Sequence, residues 1–270
     1  MNTIHNSPLT NRVKIGACEV GGNDFCLIAG PCSLESLEHF QNVAHRVKSL
    51  GAVALRGGMF KLRTSPESFQ GLGKEAYSIA RQVKQEVQLP FISEVTDPRH
   101  IGDMLDLVDA FQVGSRNMYN YSLLKELGST DKPILLKRGF SALIKEWLLA
   151  ADYIVKGGND QVILCERGIR SFETATRNTF DINAVSYIKR YSSFPIVADP
   201  SHGTGDSRLV VDVALAAVAA GCDGLLIEVH PNPSQALSDG FQALDYAALE
   251  DLTTQLNLLL PVFGKRLGDR

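Results

Sequence analysis

Eight short apolar runs, each ending in an unusual polar residue, alternate with helix-forming segments along a chain of 270 residues. That alternation predicts an α/β fold with a parallel sheet, and eight such strands in a chain of this length close into a TIM (β/α)8 barrel. A hydrophobic content of 44 % is enough for one sizeable core. We therefore read a single barrel domain over residues 25–270, with residues 1–24 as a short N-terminal extension. Every strand of such a barrel aims its C-terminal end at one mouth, where these folds do their chemistry. The polar endings are expected to meet there.

The strands follow in order. Residues 25–30 lead to Pro31 and Cys32, 52–55 to Arg56, 91–93 to Glu94, and 110–114 to Ser115 and Arg116. Residues 133–136 lead to Lys137, 161–165 to Glu166 and Arg167, 195–198 to Asp199 and His202, and 224–227 to Glu228 and His230. Between them, helical periodicity predicts helices over 36–50, 74–87, 98–108, 119–127, 142–156, 174–190, 207–220 and 245–260. Pro98 suits a first helical turn, and Gly51, Gly128, Gly157 and Gly221 suit left-handed helix ends. Residues 13–24, with Gly21 and Gly22 before the first barrel strand, read as a β-hairpin capping the barrel floor.

A net charge of -3 argues against a nucleic-acid partner held by a global basic surface. Met1 to Asn11 lacks the apolar core of a signal peptide, and no apolar run is long enough to span a bilayer. Five cysteines, Cys18, Cys26, Cys32, Cys165 and Cys222, form an odd set with no framework spacing, which suggests a reducing, cytoplasmic setting.

Residues two apart on a strand share a face, so Arg56 with Ala54, Arg116 with Gly114 and Gln112, and Lys137 with Leu135 can each project inward. Arg167 follows the same logic, and Lys61 and Arg63 lie on the loop after the second barrel strand. A strand-end cation is often merely solvated, but cations converging from several strands repel unless an anion joins them. The expected ligand is multiply charged, carrying phosphate and carboxylate. A second constellation is Cys32, His202, Glu228 and Asp239. No two have a local ligand spacing, and a lone cysteine is more often core than ligand. Their addresses favour a site all the same, because barrel strands eight and one are neighbours. One thiolate, one imidazole and two carboxylates suit a divalent Mn, Fe, Co or Zn ion. His230 shares strand phase with Glu228 and is a candidate substitute ligand or a structural histidine. Trp147 and the stripe around it read as barrel packing, and Lys189 and Arg190 as a helix end.

Several ordered motifs carry a family resemblance from about Phe25 onward. They are Ile28-Ala-Gly-Pro-Cys-Ser33, Leu55-Arg-Gly-Gly-Met-Phe-Lys-Leu-Arg-Thr-Ser-Pro66, Gln112-Val-Gly-Ser-Arg-Asn117 and Leu136-Lys-Arg-Gly139. Cys165-Glu-Arg-Gly-Ile-Arg-Ser-Phe-Glu173, Asp199-Pro-Ser-His-Gly-Thr-Gly205, Ile227-Glu-Val-His-Pro-Asn-Pro233 and Ser238-Asp239-Gly240 complete the set. The chain resembles the 3-deoxy-D-arabino-heptulosonate 7-phosphate (DAHP) synthases, in the short branch related to 3-deoxy-D-manno-octulosonate 8-phosphate (KDO8P) synthases. The resemblance implies condensation of phosphoenolpyruvate with erythrose 4-phosphate, the first step of the shikimate pathway. It assigns Cys32, His202, Glu228 and Asp239 to the metal, and Ser115, Arg116, Lys137 and Arg167 to the phosphoenolpyruvate phosphate region. Arg56 and Lys61 fall to the carboxylate, and Arg63, Thr64 and Ser65 to the acceptor phosphate. Lys61 is a candidate acid, and Glu94 and Asp199 are candidates for moving the protons of water. It also implies a homodimer or homotetramer.

Where the family usually reads Lys-Pro-Arg-Thr, this chain carries Leu62 in place of proline, which frees a φ angle in the acceptor loop. A KDO8P synthase using arabinose 5-phosphate, a secondary-pathway paralogue with a modified aldose phosphate, and a non-catalytic barrel that binds phosphorylated ligands are the alternatives. Relatives with appended regulatory domains suggest a further expectation: without one, activity persists in the presence of Phe or Tyr.

Overall fold

The computed structural model describes residues 10–268; the first nine residues of the extension lie outside them. Eight parallel strands form the barrel: β3 (Asp24–Gly30), β4 (Ala54–Arg56), β5 (Phe91–Glu94), β6 (Ala110–Val113), β7 (Ile134–Lys137), β8 (Val162–Glu166), β9 (Ile196–Ala198) and β10 (Gly224–Glu228). The last pairs with the first, from Gly224 beside Cys26 to Glu228 beside Gly30, and the sheet closes. Before them, β1 (Val13–Ile15) and β2 (Cys18–Val20) make an antiparallel hairpin, and after them β11 (Arg266–Leu267) lies parallel to the start of β3.

Strand alternation sorts the side chains into two cores. Cys26, Ile28, Ala54, Ile92, Ala110, Leu135, Ile163, Val197 and Leu226 point inward and pack with Val13, Ile15, Cys18 and Val20 of the hairpin. Leu27, Leu55, Phe91, Phe111, Leu136, Leu164, Ile196 and Ile227 face the helices. Each side chain so buried contributes roughly 1.5–3 kcal/mol. The inward phase continues upward into Arg56, Glu94, Gln112, Lys137, Asp199 and Glu228, so the same alternation that fills the barrel delivers charge to its mouth. Gly30 permits the closure there: a Cβ on it would sit 2.0 Å from the Arg56 carbonyl oxygen.

The helices are α1 (Leu37–Ser49), α2 (Ala76–Val87), α3 (Ile101–Met104), α4 (Tyr121–Gly128), α5 (Ile144–Lys156), α6 (Ile182–Tyr191), α7 (Pro200–Thr204), α8 (Ser207–Ala219) and α9 (Tyr246–Leu259). Their starts are capped by side chains: Ser36 accepts from His39 N, Asp181 from Ala184 N and Asp245 from Ala248 N. Trp147 is fully buried in α5 and donates to the Leu136 carbonyl, as barrel packing.

Four details depart from the sequence reading. The 98–108 segment holds only a 3-10 turn and the single-turn α3. Residues 174–181 are not helical, because Ile169 and Thr179 form an antiparallel bridge and Arg177 N and Asn178 N donate to Thr204 O and Gly203 O. Gly51 and Gly221 do adopt positive φ (94° and 98°), but Gly128 and Gly157 do not; they let α4 and α5 touch backbone to backbone. Finally, Cys18 and Cys26 are disulfide-bonded, so the cysteines are not all free thiols. The hairpin folds back under the barrel and sets residue 18 beneath the inward-facing residue 26, a proximity that no local spacing announces.

Candidate active site

The barrel mouth opens on a cavity of about 450 Å³ lined by Arg56, Lys61, Arg63, Arg116, Lys137, Arg167 and Arg177, with Thr64, Ser65 and Ser115 among its hydroxyls. Three of these cations are almost fully buried: Arg56 (4 % exposed), Lys137 (3 %) and Arg167 (2 %). Arg56 donates to Glu228 at 2.6 Å and Lys137 to Asp199 at 2.6 Å. Arg167 differs. Its hydrogen-bond partner is the neighbouring Gly168 carbonyl, its guanidinium lies 4.8 Å from the Phe140 ring, and among the described residues no carboxylate lies within ion-pair distance. Burial pulls its pKa down to about 10. A buried cation short of a counter-charge is costly, and an anionic ligand relieves that cost. Arg116 shares the Phe140 ring, at 5.4 Å, and is likewise without a carboxylate partner among the described residues.

Arg167 is held in place from below. Glu166 points away from the cavity, accepts from Gly168 N at 2.7 Å and pairs with Arg138 at 3.0 Å, which also reaches Asp181 at 2.8 Å. Burial raises the Glu166 pKa against the pull of Arg138. Glu94 projects from β5 into the cavity and accepts from Gln112 at 3.3 Å. Burial raises its pKa as well, with Lys137 and Lys61 opposing.

On the opposite wall, the ligand atoms of Cys32, His202, Glu228 and Asp239 all lie within 4.8 Å of one another. Cys32 follows β3, His202 sits on α7, Glu228 ends β10 and Asp239 lies in the loop beyond. His202 Nδ1 lies 2.8 Å from Asp199 Oδ2, off the line of a good hydrogen bond, and its Nε2 faces Glu228 at 3.3 Å. A carboxylate behind the imidazole is the usual second partner of a metal-binding histidine. Burial lowers the His202 pKa to about 4, so the ring is neutral and has a lone pair to offer. Burial raises Glu228, but His202, Arg56 and Lys61 outweigh it and hold the carboxyl at about 2. Burial, then Glu228, pushes the Cys32 thiol up to about 12. Lys61 reaches both Cys32 Sγ and Asp239 Oδ2. A compact set of one sulfur, one nitrogen and two carboxylates fits a divalent ion.

The cations, hydroxyls and four ligand candidates read from the sequence thus converge on one mouth. Two residues fall elsewhere. Asp199 is fully buried beneath the cavity, between Lys137 (2.6 Å) and His202 (2.8 Å). His230 faces Glu35 and lies tilted against His39, in a neighbouring group rather than in the four-ligand cluster. Lys189 lies in the last turn of α6, as read, and also pairs with Asp223 at 2.9 Å. The sequence reading missed Arg177, which sat inside a segment read as helix, and Gln242, which is fully buried and joins Arg177 (2.6 Å) to Glu228 (2.5 Å). It missed Phe140 too; an aromatic between Arg138-Gly139 and Ser141 carries no signal until its ring is seen under three arginines.

Comparison with known proteins agrees with this geometry. Residues 6–259 match the model of the DAHP synthetase I family. The chain is 43 % identical over 261 residues to the phospho-2-dehydro-3-deoxyheptonate aldolase of Thermotoga maritima, covering 97 % of this chain and 77 % of that protein. It is 32 % identical to a 2-dehydro-3-deoxyphosphooctonate aldolase of Desulfatibacillum aliphaticivorans, covering 92 % and 97 %. The crystal structure of the Thermotoga maritima DAHP synthase superposes with a TM-score of 0.93 at 42 % identity, covering 97 % of this chain and 76 % of that one. A truncated form of the Thermotoga enzyme gives 0.90 at 39 %, covering 98 % and 97 %. With the family model matching nearly the whole chain and a charged barrel mouth of the expected composition, the chain belongs to the DAHP synthetase I family.

Proposed function

We propose that the mouth carries out the family's reaction with its two walls in separate roles, the cations seating phosphoenolpyruvate and the Cys32 cluster holding a metal. The reaction itself is the condensation of phosphoenolpyruvate with erythrose 4-phosphate to DAHP and inorganic phosphate. Arg116, Lys137 and Arg167, with Ser115 beside them, take the phosphate of phosphoenolpyruvate; Arg56 and Lys61 take its carboxylate. Arg63, Thr64 and Ser65, on the loop after β4, take the acceptor's phosphate. The observation that carries this reading is Arg167, a guanidinium 2 % exposed at the cavity wall and lacking a carboxylate partner.

Two anions seated side by side by fixed cations bring C3 of the donor to the acceptor aldehyde without the entropy loss of a free encounter. Cys32, His202, Glu228 and Asp239 would hold a divalent ion, Mn, Fe, Co or Zn, which would supply Lewis acidity for the acceptor aldehyde. Lys61, at the boundary of the two walls, donates a proton as that oxygen gains charge. The carbon–carbon bond forms, water adds at C2, and the C2–O bond breaks to release phosphate. Glu94, inside the cavity with a raised pKa, accepts the proton of that water. Asp199 orients Lys137 and His202.

The same reading includes residues 10–24 as a plug for the barrel floor, a homodimer or homotetramer in solution, and a cytoplasmic setting. The plug is supported by the packing of Val13, Ile15 and Val20 on the inward core. Exposed Leu143, Leu149, Tyr121 and Tyr153 on and around α4 and α5 support an oligomer. Charge retains both substrates inside a cell, and no helix among the described residues is long and apolar enough to cross a membrane. Phosphate release from phosphoenolpyruvate, assayed against erythrose 4-phosphate and arabinose 5-phosphate with and without chelator, tests the whole. Erythrose 4-phosphate is expected to be the better acceptor and chelator to abolish turnover; turnover that ignores chelator would remove the metal from the reading.

A further inference from the structure

Beside the ligand cluster lies a second group of titratable side chains, Glu35, His39 and His230, that the reaction does not use. It has the composition of another metal centre, but its hydrogen bonds oppose one. Asn232 N donates to His230 Nδ1 at 3.1 Å, so the one proton of the neutral ring sits on Nε2. That nitrogen is buried without a hydrogen-bond partner and lies 3.5 Å from Glu35 Oε2, within the range of an electrostatic contact. The other Glu35 oxygen accepts from Leu237 N at 2.9 Å. One carboxylate on the Cys32 loop therefore hydrogen-bonds one point of the segment that ends in Asp239 and faces a second, His230, across 3.5 Å. A second rung lies between them, the buried pair Ser33 Oγ and Ser238 Oγ at 3.1 Å, each the immediate chain neighbour of a ligand candidate.

Asp239 needs such a hold. Its backbone is left-handed (φ 52°, ψ 31°), a conformation that a residue with a Cβ keeps only where its surroundings over-determine it. The geometry points to Glu35 as a positioning residue that, through Leu237 and His230, fixes the strained Asp239 against Cys32 in the ligand set. Resting on the metal reading above, this assigns Glu35 no contact with substrate or ion. Its loss should weaken the metal and leave Arg116, Lys137 and Arg167 in place.

The test is cobalt titration of the metal-free full-length protein, reading the thiolate-to-cobalt absorption band, with calorimetric phosphoenolpyruvate affinity measured in parallel without metal. Glu35→Gln keeps the shape but offers an N–H where one acceptor is required, and is expected to weaken cobalt about tenfold; Glu35→Ala loses both rungs and approaches about a hundredfold. Phosphoenolpyruvate affinity should fall much less than cobalt affinity in both, because of the donor's cations only Lys61 hydrogen-bonds Asp239, while Arg116, Lys137 and Arg167 do not. Cobalt affinity unchanged in both variants overturns the proposal, and so does a parallel loss of cobalt and phosphoenolpyruvate binding in Glu35→Gln, which marks general damage. A parent protein without the absorption band defeats the metal site itself, a failure distinct from unchanged variants beside a parent that binds.

Discussion

Glu94 is the residue where stability and chemistry oppose each other. Burial in the cavity raises its pKa, and the surrounding Lys137, Lys61, Arg56 and Arg116 only partly offset that. Below the unfolded-state pKa both folded and unfolded carboxyls are protonated, and Glu94 costs nothing. As pH rises toward its raised folded value, the unfolded chain ionises first and the folded state loses stability relative to it. Glu94→Gln is therefore expected to raise the urea midpoint at pH 8 and leave it unchanged at pH 4. If the carboxylate takes the water proton, the same change lowers kcat by about 10²–10⁴-fold. A midpoint that rises equally at both pH values would show that ionisation is not the cause. Strand phase made Arg56 and Lys137 legible as inward residues, since a two-residue period needs no tertiary information, and Glu94 was legible as the polar ending of its apolar run. Asp199 shares that phase, yet its depth was not legible: whether a strand-end carboxylate meets water or two cations beneath it depends on α7, which begins at the next residue.

At the scale of elements, the eight strands were readable because each apolar run ends abruptly in charge, and most helices because their faces repeat at the helical period. The 174–181 segment was not. Its local preference for helix loses to hydrogen bonds with Ile169, Gly203 and Thr204, and that exchange is what carries Arg177 over the cavity. The contact of α4 with α5 offers a direct contest between local and tertiary terms. In helix propensity alone, Gly128→Ala gains about 1 kcal/mol. Yet the added Cβ would stand 2.7 Å from the Ile154 carbonyl oxygen and 3.0 Å from Gly157 Cα, both backbone atoms that cannot swing aside. Overpacking of this kind typically costs about 1–3 kcal/mol, so a lower chemical-denaturation midpoint is expected. Gly128 lies at the end of α4 away from the mouth, so KM for both substrates should be unaltered; a stabilised variant would mean that the helices separate freely.

Barrel closure joins the earliest and latest strands, and the metal candidates straddle that seam: Cys32 follows β3, Glu228 ends β10 opposite Gly30, and Asp239 stands 207 residues from Cys32 in sequence. Such closure could be read from the count of strands, whereas the disulfide beneath it and the rungs of Ser33–Ser238 and Glu35–Leu237 depend on which loops the closure brings together. An ion held by all four side chains would tie both edges of the seam in the folded state and in no comparable arrangement of the unfolded chain. Binding to the folded state alone stabilises by about 2.7 kcal/mol at free metal a hundred times Kd. For a domain of this size each kcal/mol moves the melting midpoint by about 2–4 °C, so saturating Mn or Co should raise Tm by roughly 5–10 °C over the chelated protein. Asp239→Ala removes one of the two carboxylates next to Lys61, so it should lower the chelated Tm through the lost pairs with Lys61 and Arg63 and shrink the increment measured against its own chelated form. An increment that survives intact in Asp239→Ala, which offers no side-chain oxygen in its place, puts the stabilising ion outside the barrel mouth.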